Sequence, residues 1–200
     1  MKKEQIARAN MKAEAGFSLI ELSVSLIVMM IIAAIAIPSV LQGWNSYRLT
    51  SAAGSVAGLL ERTRFEAIHK NGQQSCLGAA LGAGWQLGID QNSNNGIDRG
   101  EPQVILPGPA TLIAAAIAPA PASMGAAYAG ALPPGGNPVY GRVTFDARGT
   151  VFVAVGAPPP YVIYIGIPNQ PKYGYRAVTV SAMGQVKIWA ASQNGTWIAQ

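Results

Sequence analysis

The residues whose types and spacing most clearly suggest chemistry lie near the N-terminus, in Gly16–Glu21, which reads GFSLIE. A basic leader precedes this stretch, and an almost uncharged apolar run, Leu22–Ile37, follows it. An ionised carboxylate inside a bilayer costs about 3 kcal/mol on insertion scales. A glutamate that opens a membrane-length segment therefore needs a reason, and we expect Glu21 to have a function.

A second suggestive set of residues lies at 90–101, with the sequence DQNSNNGIDRGE. Oxygen-bearing side chains stand at loop positions 1, 3, 5, 9 and 12, which is the spacing of an EF-hand calcium loop, and Ile97 takes its usual apolar position. Asn95 replaces the usual glycine, and the flanks read as strands instead of helices. The pattern predicts either a calcium site or a polar hairpin whose Asn, Asp and Gly residues serve turn geometry. The candidate ligands are Asp90, Asn92, Asn94, Asp98 and Glu101.

Other catalytic chemistries find no support in the residue types. No Cys/His cluster suits zinc, and no glycine-rich loop stands between a strand and a helix to hold phosphate. His69 is the one histidine and falls in a predicted helix, so a Ser-His-Asp triad is not indicated. Cys76 is the one cysteine and cannot form an internal disulfide. We expect no catalysis and no cofactor other than calcium.

Composition limits the function classes further. The 200 residues suit one domain with an extension; 50% are hydrophobic and only 12% are charged. The net charge is +5, and the leader's four bases and two acids leave +3 for the rest of the chain. That charge is too small and dispersed to imply nucleic-acid binding. With 23 glycines and 14 prolines, the chain is expected to contain many turns.

The segment Phe17–Ile37 is long enough to cross a membrane. Its 21 residues carry one charge, and as a helix they would span about 31 Å. Positive charge precedes the segment, which places residues 1–16 in the cytoplasm and the remainder outside. Two other interpretations stay open: a secretory signal peptide cleaved at the small residues Ala34-Ile35-Ala36, and a plain membrane anchor. Both leave Glu21 unexplained.

The stretch GFSLIE closely resembles the cleavage and methylation site of type IV prepilins and pseudopilins. The resemblance implies that a prepilin peptidase cuts after Gly16 and methylates the new N-terminal amine of Phe17. It also implies that Glu21 pairs with the α-amino group of Phe17 on a neighbouring subunit, which would neutralise two charges that lipid penalises. The implied partners are the peptidase, other pilins or pseudopilins, an inner-membrane assembly platform and, before assembly, membrane lipid.

The pattern predicts one long helix, from Phe17 to about Lys70. Pro38 closes the membrane segment and should kink or locally melt the helix. An amphipathic stripe then continues through 38–71 to the stop signal Asn71-Gly72. Its apolar members are Leu49, Val56, Leu59, Leu60, Thr63, Ala67 and Ile68.

After Gly72 the pattern changes to short β-type runs. An Ala/Pro/Gly-rich region at 107–138 is interpreted mostly as an irregular surface loop, although 111–118 suits a strand or a short helix. The predicted strands cover 74–77, 85–90, 103–106, 142–146, 151–155, 161–167, 175–181 and 185–189.

Three head segments resemble the GspH/FimT family of minor pseudopilins. They are the helix end ERTRFEAIHKNG, the strand and hairpin GWQLGIDQNSNNGIDRGEP, and the closing strands RVTFDARGT and VTVSAMGQVKIW. Some members of that family take part in DNA uptake through arginines near the last strands. Here the corresponding stretch, 184–187, contains one base, Lys187. Together with Lys172 and Arg176 it is a candidate for a small basic patch, although DNA binders usually contact several phosphates.

These observations predict an α+β, pilin-like fold: a long N-terminal helix, transmembrane in its first half, packed on an antiparallel β head. The predicted segments are a leader at 1–16, a membrane and assembly helix at 17–37, its amphipathic continuation at 38–71 and a periplasmic head at 72–200. The predicted function is that of a minor subunit in the tip or shaft of a type II secretion pseudopilus or a type IV pilus. The alternatives are a DNA-binding minor pilin and a secreted or anchored binding protein.

Overall fold

The computed structural model describes residues 16–82, 84–106, 108–128, 141–154, 156 and 160–200. The predicted leader, apart from Gly16, and the last part of the predicted 107–138 loop lie outside the described residues. The chain divides into two compact units, Met1–Leu41 and Gln42–Gln200.

A single helix, α1, runs from Leu19 to His69, within two residues of the predicted range. The helical assignment continues through Pro38, so the backbone does not melt there. Proline has no N–H, and the carbonyl of Ala34 therefore lacks its usual helical donor. The kink expected at Pro38 stays a prediction.

The part of α1 within Gln42–Gln200 buries one face. Ile68, which the sequence pattern placed on this face, is 46% exposed. Three alanines that the pattern did not include are buried on the face instead. The buried residues are Leu49, Ala52, Ala53, Val56, Ala57, Leu59, Leu60, Thr63 and Ala67. The Thr63 hydroxyl is satisfied by the Leu59 carbonyl at 2.8 Å, so the one polar group of this face adds no unpaired donor.

The helix ends in a Schellman motif. Asn71 has φ +49°, the left-handed conformation that asparagine tolerates better than most residues. The N–H of Gly72 donates to the Ala67 carbonyl and that of Asn71 to the Ile68 carbonyl, each at 3.1 Å. The predicted Asn71-Gly72 stop is confirmed, with the asparagine taking the left-handed position.

The first sheet of the head, sheet A, contains four antiparallel strands in the order β3-β2-β1-β5. Strands β1 and β2 form a long hairpin whose register runs from Ser75 opposite Asp90 to Leu81 opposite Gly84. The four strands are β1 (Gln74–Leu81), β2 (Gly84–Asp90), β3 (Gln103–Ile105) and β5 (Arg142–Phe145).

The second sheet, sheet B, contains five antiparallel strands in the order β4-β6-β7-β8-β9. Thr111 and Leu112 form the short edge strand β4, and short 3₁₀ turns occupy Pro121–Met124, Ala126–Tyr128 and Pro171–Tyr173. The remaining strands are β6 (Tyr161–Gly166), β7 (Tyr175–Val180), β8 (Val186–Ala191) and β9 (Ile198–Ala199).

One core joins α1 to both sheets. It contains Leu60 from the helix, Leu87 and Phe145 from sheet A, and Ile165 and Val178 from sheet B. A second cluster lies on the other face of sheet B, where Met124, Tyr164 and Trp197 pack together. The pilin-like α+β fold is therefore confirmed: an N-terminal helix packs on antiparallel sheets.

Two predictions for the head need correction. Residues 151–155 do not form a strand in the described residues; Val151 makes only an isolated bridge to Phe145. The described part of the Ala/Pro/Gly-rich region is also not simply a surface loop, because Met124 is 6% exposed and the Ser123 hydroxyl accepts the N–H of Trp197 at 3.0 Å. Its low hydrophobic periodicity hid this packing.

Candidate processing and assembly site

The bond between Gly16 and Phe17 is accessible. Both residues are exposed, and the side chain of Phe17 is 82% exposed. They precede α1, whose first i to i−4 hydrogen bond runs from the N–H of Leu22 to the carbonyl of Ser18 at 3.1 Å. The bond therefore lies outside the helix and is exposed.

Glu21 lies in the first turn of α1 and is exposed. A carboxylate at this end of a helix is favoured by the partial positive charge of the free backbone N–H groups. The nearby serines satisfy themselves: Ser23 donates to the Ile20 carbonyl at 2.7 Å and Ser25 to the Glu21 carbonyl at 2.8 Å. The carboxylate of Glu21 is thus the polar group of this turn that remains available to another molecule.

The surface behind Glu21 is apolar and uncovered. Every large apolar side chain from Phe17 to Leu41 is between 49% and 86% exposed. An 18-residue window of this region has mean hydropathy 2.7 with none of its residues buried, so the helix is long and apolar enough to cross a membrane. A soluble monomer rarely leaves so large an apolar surface in water, which points to lipid or to other helices as its cover.

The segments of the head that the sequence analysis singled out meet at the end of α1. The Arg64 Nε donates to the Gly149 carbonyl at 2.9 Å, across 85 residues of sequence. Glu66 accepts from Gln91 Nε2 at 2.7 Å and forms ion pairs with Arg62 at 3.3 Å and Lys70 at 3.6 Å. The helix end is therefore fastened to both the hairpin after β2 and the turn after β5.

Two glycine turns stack beside this junction. Gly149 and Gly184 have φ of +75° and +76°, a conformation that favours glycine. A Cβ on Gly184 would meet the carbonyl oxygen of Gly149, and a Cβ on Gly149 would stand 2.7 Å from Ile68 Cδ1. Both turns thus need glycine for conformation and for space.

The turn at Gly149 is closed by Asp146. Its carboxylate accepts the N–H groups of Arg148 and Thr150 and the hydroxyl of Thr150, all at 2.9 Å. Burial raises the pKa of Asp146, but the Thr150 and Arg148 hydrogen bonds and the Arg148 charge outweigh it and lower that pKa below its ordinary value.

The candidate calcium ligands are brought into one loop, where they bond to one another. The Asp90 carboxylate accepts the N–H groups of Asn94 and Asn95, each at 3.0 Å, and Glu101 accepts the N–H of Asp98 at 2.9 Å. Both side-chain amides of Asn92 and Asn94 donate to Asp98 Oδ2, at 2.8 and 2.6 Å. Asn95, which replaces the usual glycine, has φ +65°.

This network suits the hairpin interpretation of the loop. Within the described part of the chain no group of three or more His, Cys, Asp or Glu side chains is arranged to hold a metal ion. The loop folds over sheet A, where Ile97 Cγ2 would stand 2.5 Å from a Cβ on Gly88. Calcium binding stays a prediction from spacing alone.

The predicted basic patch is wrong, because its three residues do not share a surface. Arg176 is 8% exposed and donates to the hydroxyls of Thr50 at 3.1 Å and Ser46 at 3.0 Å on α1. Lys187 lies opposite Thr179 in the β7–β8 register, so these two side chains share one face of sheet B. Arg176 is three residues from Thr179 along β7, so Arg176 and Lys187 lie on opposite faces. Lys172 is exposed, with its Nζ 4.9 Å from the ring centre of Tyr173.

Comparison with known protein families identifies the chain. The family model described as type II transport protein GspH matches residues 52–184, more than half of the chain. The chain belongs to the GspH family. A second model, the prokaryotic N-terminal methylation motif, matches residues 11–37 and includes GFSLIE. The recognition of a GspH-type minor pilin-like protein from sequence is therefore confirmed.

Solved structures similar to this GspH-family chain come from two bacteria. The type IV minor pilin FimU of Pseudomonas aeruginosa, in a P21 crystal, gives a TM-score of 0.47 at 20% identity, covering 69% of this chain and 85% of FimU. The minor pseudopilin EpsH of Vibrio cholerae gives 0.45 at 15% identity, covering 72% of this chain and 97% of EpsH. No curated protein matched.

Sequence reasoning missed how Arg176 and Trp197 are used. Arg176 bonds to residues 126 and 130 positions away, and no local pattern reports such a pair. Trp197 is 4% exposed and its indole N–H donates to the Pro119 carbonyl at 3.1 Å. The one available signal was weak: Ser46 and Thr50 are a serine and a threonine spaced four apart on the predicted helix.

Proposed function

We propose that the chain is a minor pseudopilin or pilin subunit, built into the tip or shaft of a type II secretion pseudopilus or a type IV pilus. The observation that carries this proposal is the uncovered apolar surface of Phe17–Leu41, which begins within GFSLIE, in a chain of the GspH family. Such a surface suits lipid before assembly and neighbouring helices afterwards. The role is structural, with no catalysis.

Maturation begins at Gly16. A prepilin peptidase cuts the accessible bond after this residue and methylates the amine of Phe17. The leader then lies in the cytoplasm, segment 17–37 crosses the inner membrane, and the head lies in the periplasm, as the positive charge of the leader favours. Residues 38–71 link the membrane segment to the head.

Assembly uses the exposed carboxylate of Glu21. As one subunit joins the filament with the help of the inner-membrane platform, Glu21 pairs with the α-amino group of Phe17 on a neighbour. Two charges that apolar surroundings penalise are thereby satisfied together. The hydroxyls of Ser23 and Ser25 are bonded to their own helix, so neither competes for the carboxylate.

Intact mass and N-terminal sequencing of the membrane-extracted protein test the processing step. The expected result is a chain that starts at Phe17 and carries one extra methyl group. A start at Ile37 would instead establish secretory cleavage after Ala36, and an unprocessed Met1 a plain anchor; either result rejects the proposal.

A glutamine at Glu21 tests the assembly step separately. We expect Glu21→Gln to be cleaved and methylated normally but to be lost from sheared filaments. Glu61→Gln, at an exposed position of α1, serves as the matched control and should be incorporated like wild type. Equal incorporation of the two variants contradicts the proposed role. Complementation of a deletion strain, scored for enzyme secretion and for surface pili, assigns the filament system.

A further inference from the structure

A groove of about 510 Å³ opens where sheet B meets α1 at Gln42. It contains the two members of the rejected basic patch that do lie near each other, Lys172 and Arg176. Its polar lining includes Gln42, Lys172, Arg176, Ser192, Thr196 and Gln200.

Arg176 is a buried cation without an anion. It is 8% exposed, and its three hydrogen bonds go to neutral groups: the hydroxyls of Ser46 and Thr50 and, at 3.0 Å, its own neighbour's carbonyl, that of Tyr175. Both ion pairs found in the described residues involve Glu66 and neither involves Arg176. Buried charges are normally paired, since an uncompensated one is strongly destabilising. A guanidinium also has five N–H donors, more than these bonds use.

One residue of the groove, Gln42, follows the predicted membrane span closely in the sequence. Gln42 is five residues beyond Ile37, so even an extended chain places it within about 18 Å of the end of the span. The exposed aromatic residues Trp44 and Tyr47 follow at once, at 56% and 69% exposure, with the Arg48 guanidinium 5.4 Å from the Trp44 ring centre. Exposed Trp and Tyr beside a span are typical of the headgroup region.

Resting on the function proposed above, we propose that this groove binds the headgroup phosphate of an anionic phospholipid while the subunit waits in the membrane, with Arg176 and Lys172 as its cations. The phosphate supplies the anion that Arg176 lacks. Lys172, exposed at the groove, adds the second positive charge.

A phospholipid suits the groove better than DNA does. Duplex binders neutralise several phosphates along a track, whereas Lys187 faces the opposite side of sheet B and leaves only two cations here. A single phosphate needs no more. Trp44 and Tyr47, which closely follow the predicted span in the sequence, also suit the apolar and polar layers of a membrane surface.

Native mass spectrometry of the full chain in detergent micelles, with phosphatidylglycerol or phosphatidylcholine added, tests the proposal. We expect phosphatidylglycerol to bind more tightly, and Lys172→Gln to weaken its binding about fivefold, the effect of one charge near a membrane surface. Lys187→Gln removes an equal charge outside the groove and should change nothing. Inorganic phosphate at millimolar concentration should displace little lipid.

The contrary results are distinct. Equal binding of the two lipids, or equal losses in the two lysine variants, overturns the site. Full displacement by inorganic phosphate identifies a free-anion site instead, and a duplex DNA gel shift lost only in Lys172→Gln identifies a nucleic-acid site; both overturn the lipid assignment. The N-terminus is read from the same spectra: a methylated Phe17 start without lipid preference rejects this inference alone, whereas any other start rejects the proposed function.

Discussion

Replacing Gly184 with alanine should destabilise the head through the stacked glycine turns. The new Cβ would stand less than 3.0 Å from the Gly149 carbonyl oxygen, a separation that real Cβ atoms essentially never show, and φ is +76°. The left-handed conformation costs a non-glycine residue about 1–2 kcal/mol. Because the obstacle is backbone, the turns must separate, and the charge-assisted bond from Arg64 to Gly149 is worth about 1.5–3 kcal/mol. We expect a loss of about 3–5 kcal/mol in the free energy of unfolding.

Two other glycine-to-alanine variants are matched comparisons for Gly184→Ala. At Gly149 the obstacles are the ends of the Ile68 and Arg64 side chains, which can move, so Gly149→Ala should cost about 2 kcal/mol, mainly for its φ of +75°. At Gly58, exposed on α1 with nothing within 4 Å of a new Cβ, alanine should stabilise by about 1 kcal/mol.

Thermal melting of the full chain in detergent, followed by tryptophan fluorescence, measures the series. At about 2–4 °C per kcal/mol for a domain of this size, Gly184→Ala should melt about 10 °C lower than wild type, Gly149→Ala about 6 °C lower and Gly58→Ala about 3 °C higher. A Gly184 variant that melts like wild type, or no lower than the Gly149 variant, refutes the stacked-turn account.

Three further predictions concern titration and calcium. The lowered pKa of Asp146 stabilises the folded state above the carboxyl's ordinary pKa of 3.8, and this stability is lost as pH falls through the pKa of the folded state. Asp146→Asn should therefore lower the melting temperature at pH 7. In strong acid the variant and wild type should melt at the same temperature. Burial raises the pKa of Tyr164 from 10.0 to about 12, so the free energy of unfolding should fall as pH rises between those values. In denaturant melts over this range, Tyr164→Phe should lose less of its free energy of unfolding than wild type does. Parallel pH dependences of the two proteins would contradict this. Because the 90–101 loop oxygens already accept loop donors, millimolar calcium should leave the melting temperature unchanged; a rise of several degrees, abolished by Asp90→Asn, would establish the calcium site.

Local patterns in the sequence predicted most of the fold. The 3.6-residue periodicity located the buried face of α1, and Asn71-Gly72 located its end, because both signals lie within a few residues of the structure they determine. The hairpin between β2 and β3 was also predictable from its Asp, Asn and Gly residues. The family signature at GFSLIE needed no tertiary information.

Features that depend on distant contacts were not predictable in the same way. Arg176 reads as a surface base in the sequence, yet its partners, Ser46 and Thr50, lie at the other end of the head unit's sequence. The region around Met124 lacks any hydrophobic period, and only its packing against Trp197 shows that it covers sheet B. Among the described residues of the strand predicted at 151–155, Val151 forms only an isolated bridge to Phe145, just after the Asp146 turn.

The bonds from Arg176 to α1 have a consequence for the order of folding. Ser46 and Thr50 leave the ribosome well before Arg176, and the Arg64–Gly149 bond spans 85 residues. Contacts of such high contact order form slowly, because a long loop must close before any of them is made. The apolar segment is therefore complete and exposed while the head is still unfinished. We therefore expect insertion into lipid to precede docking of the helix on the head, because the apolar segment would otherwise face water while these contacts form.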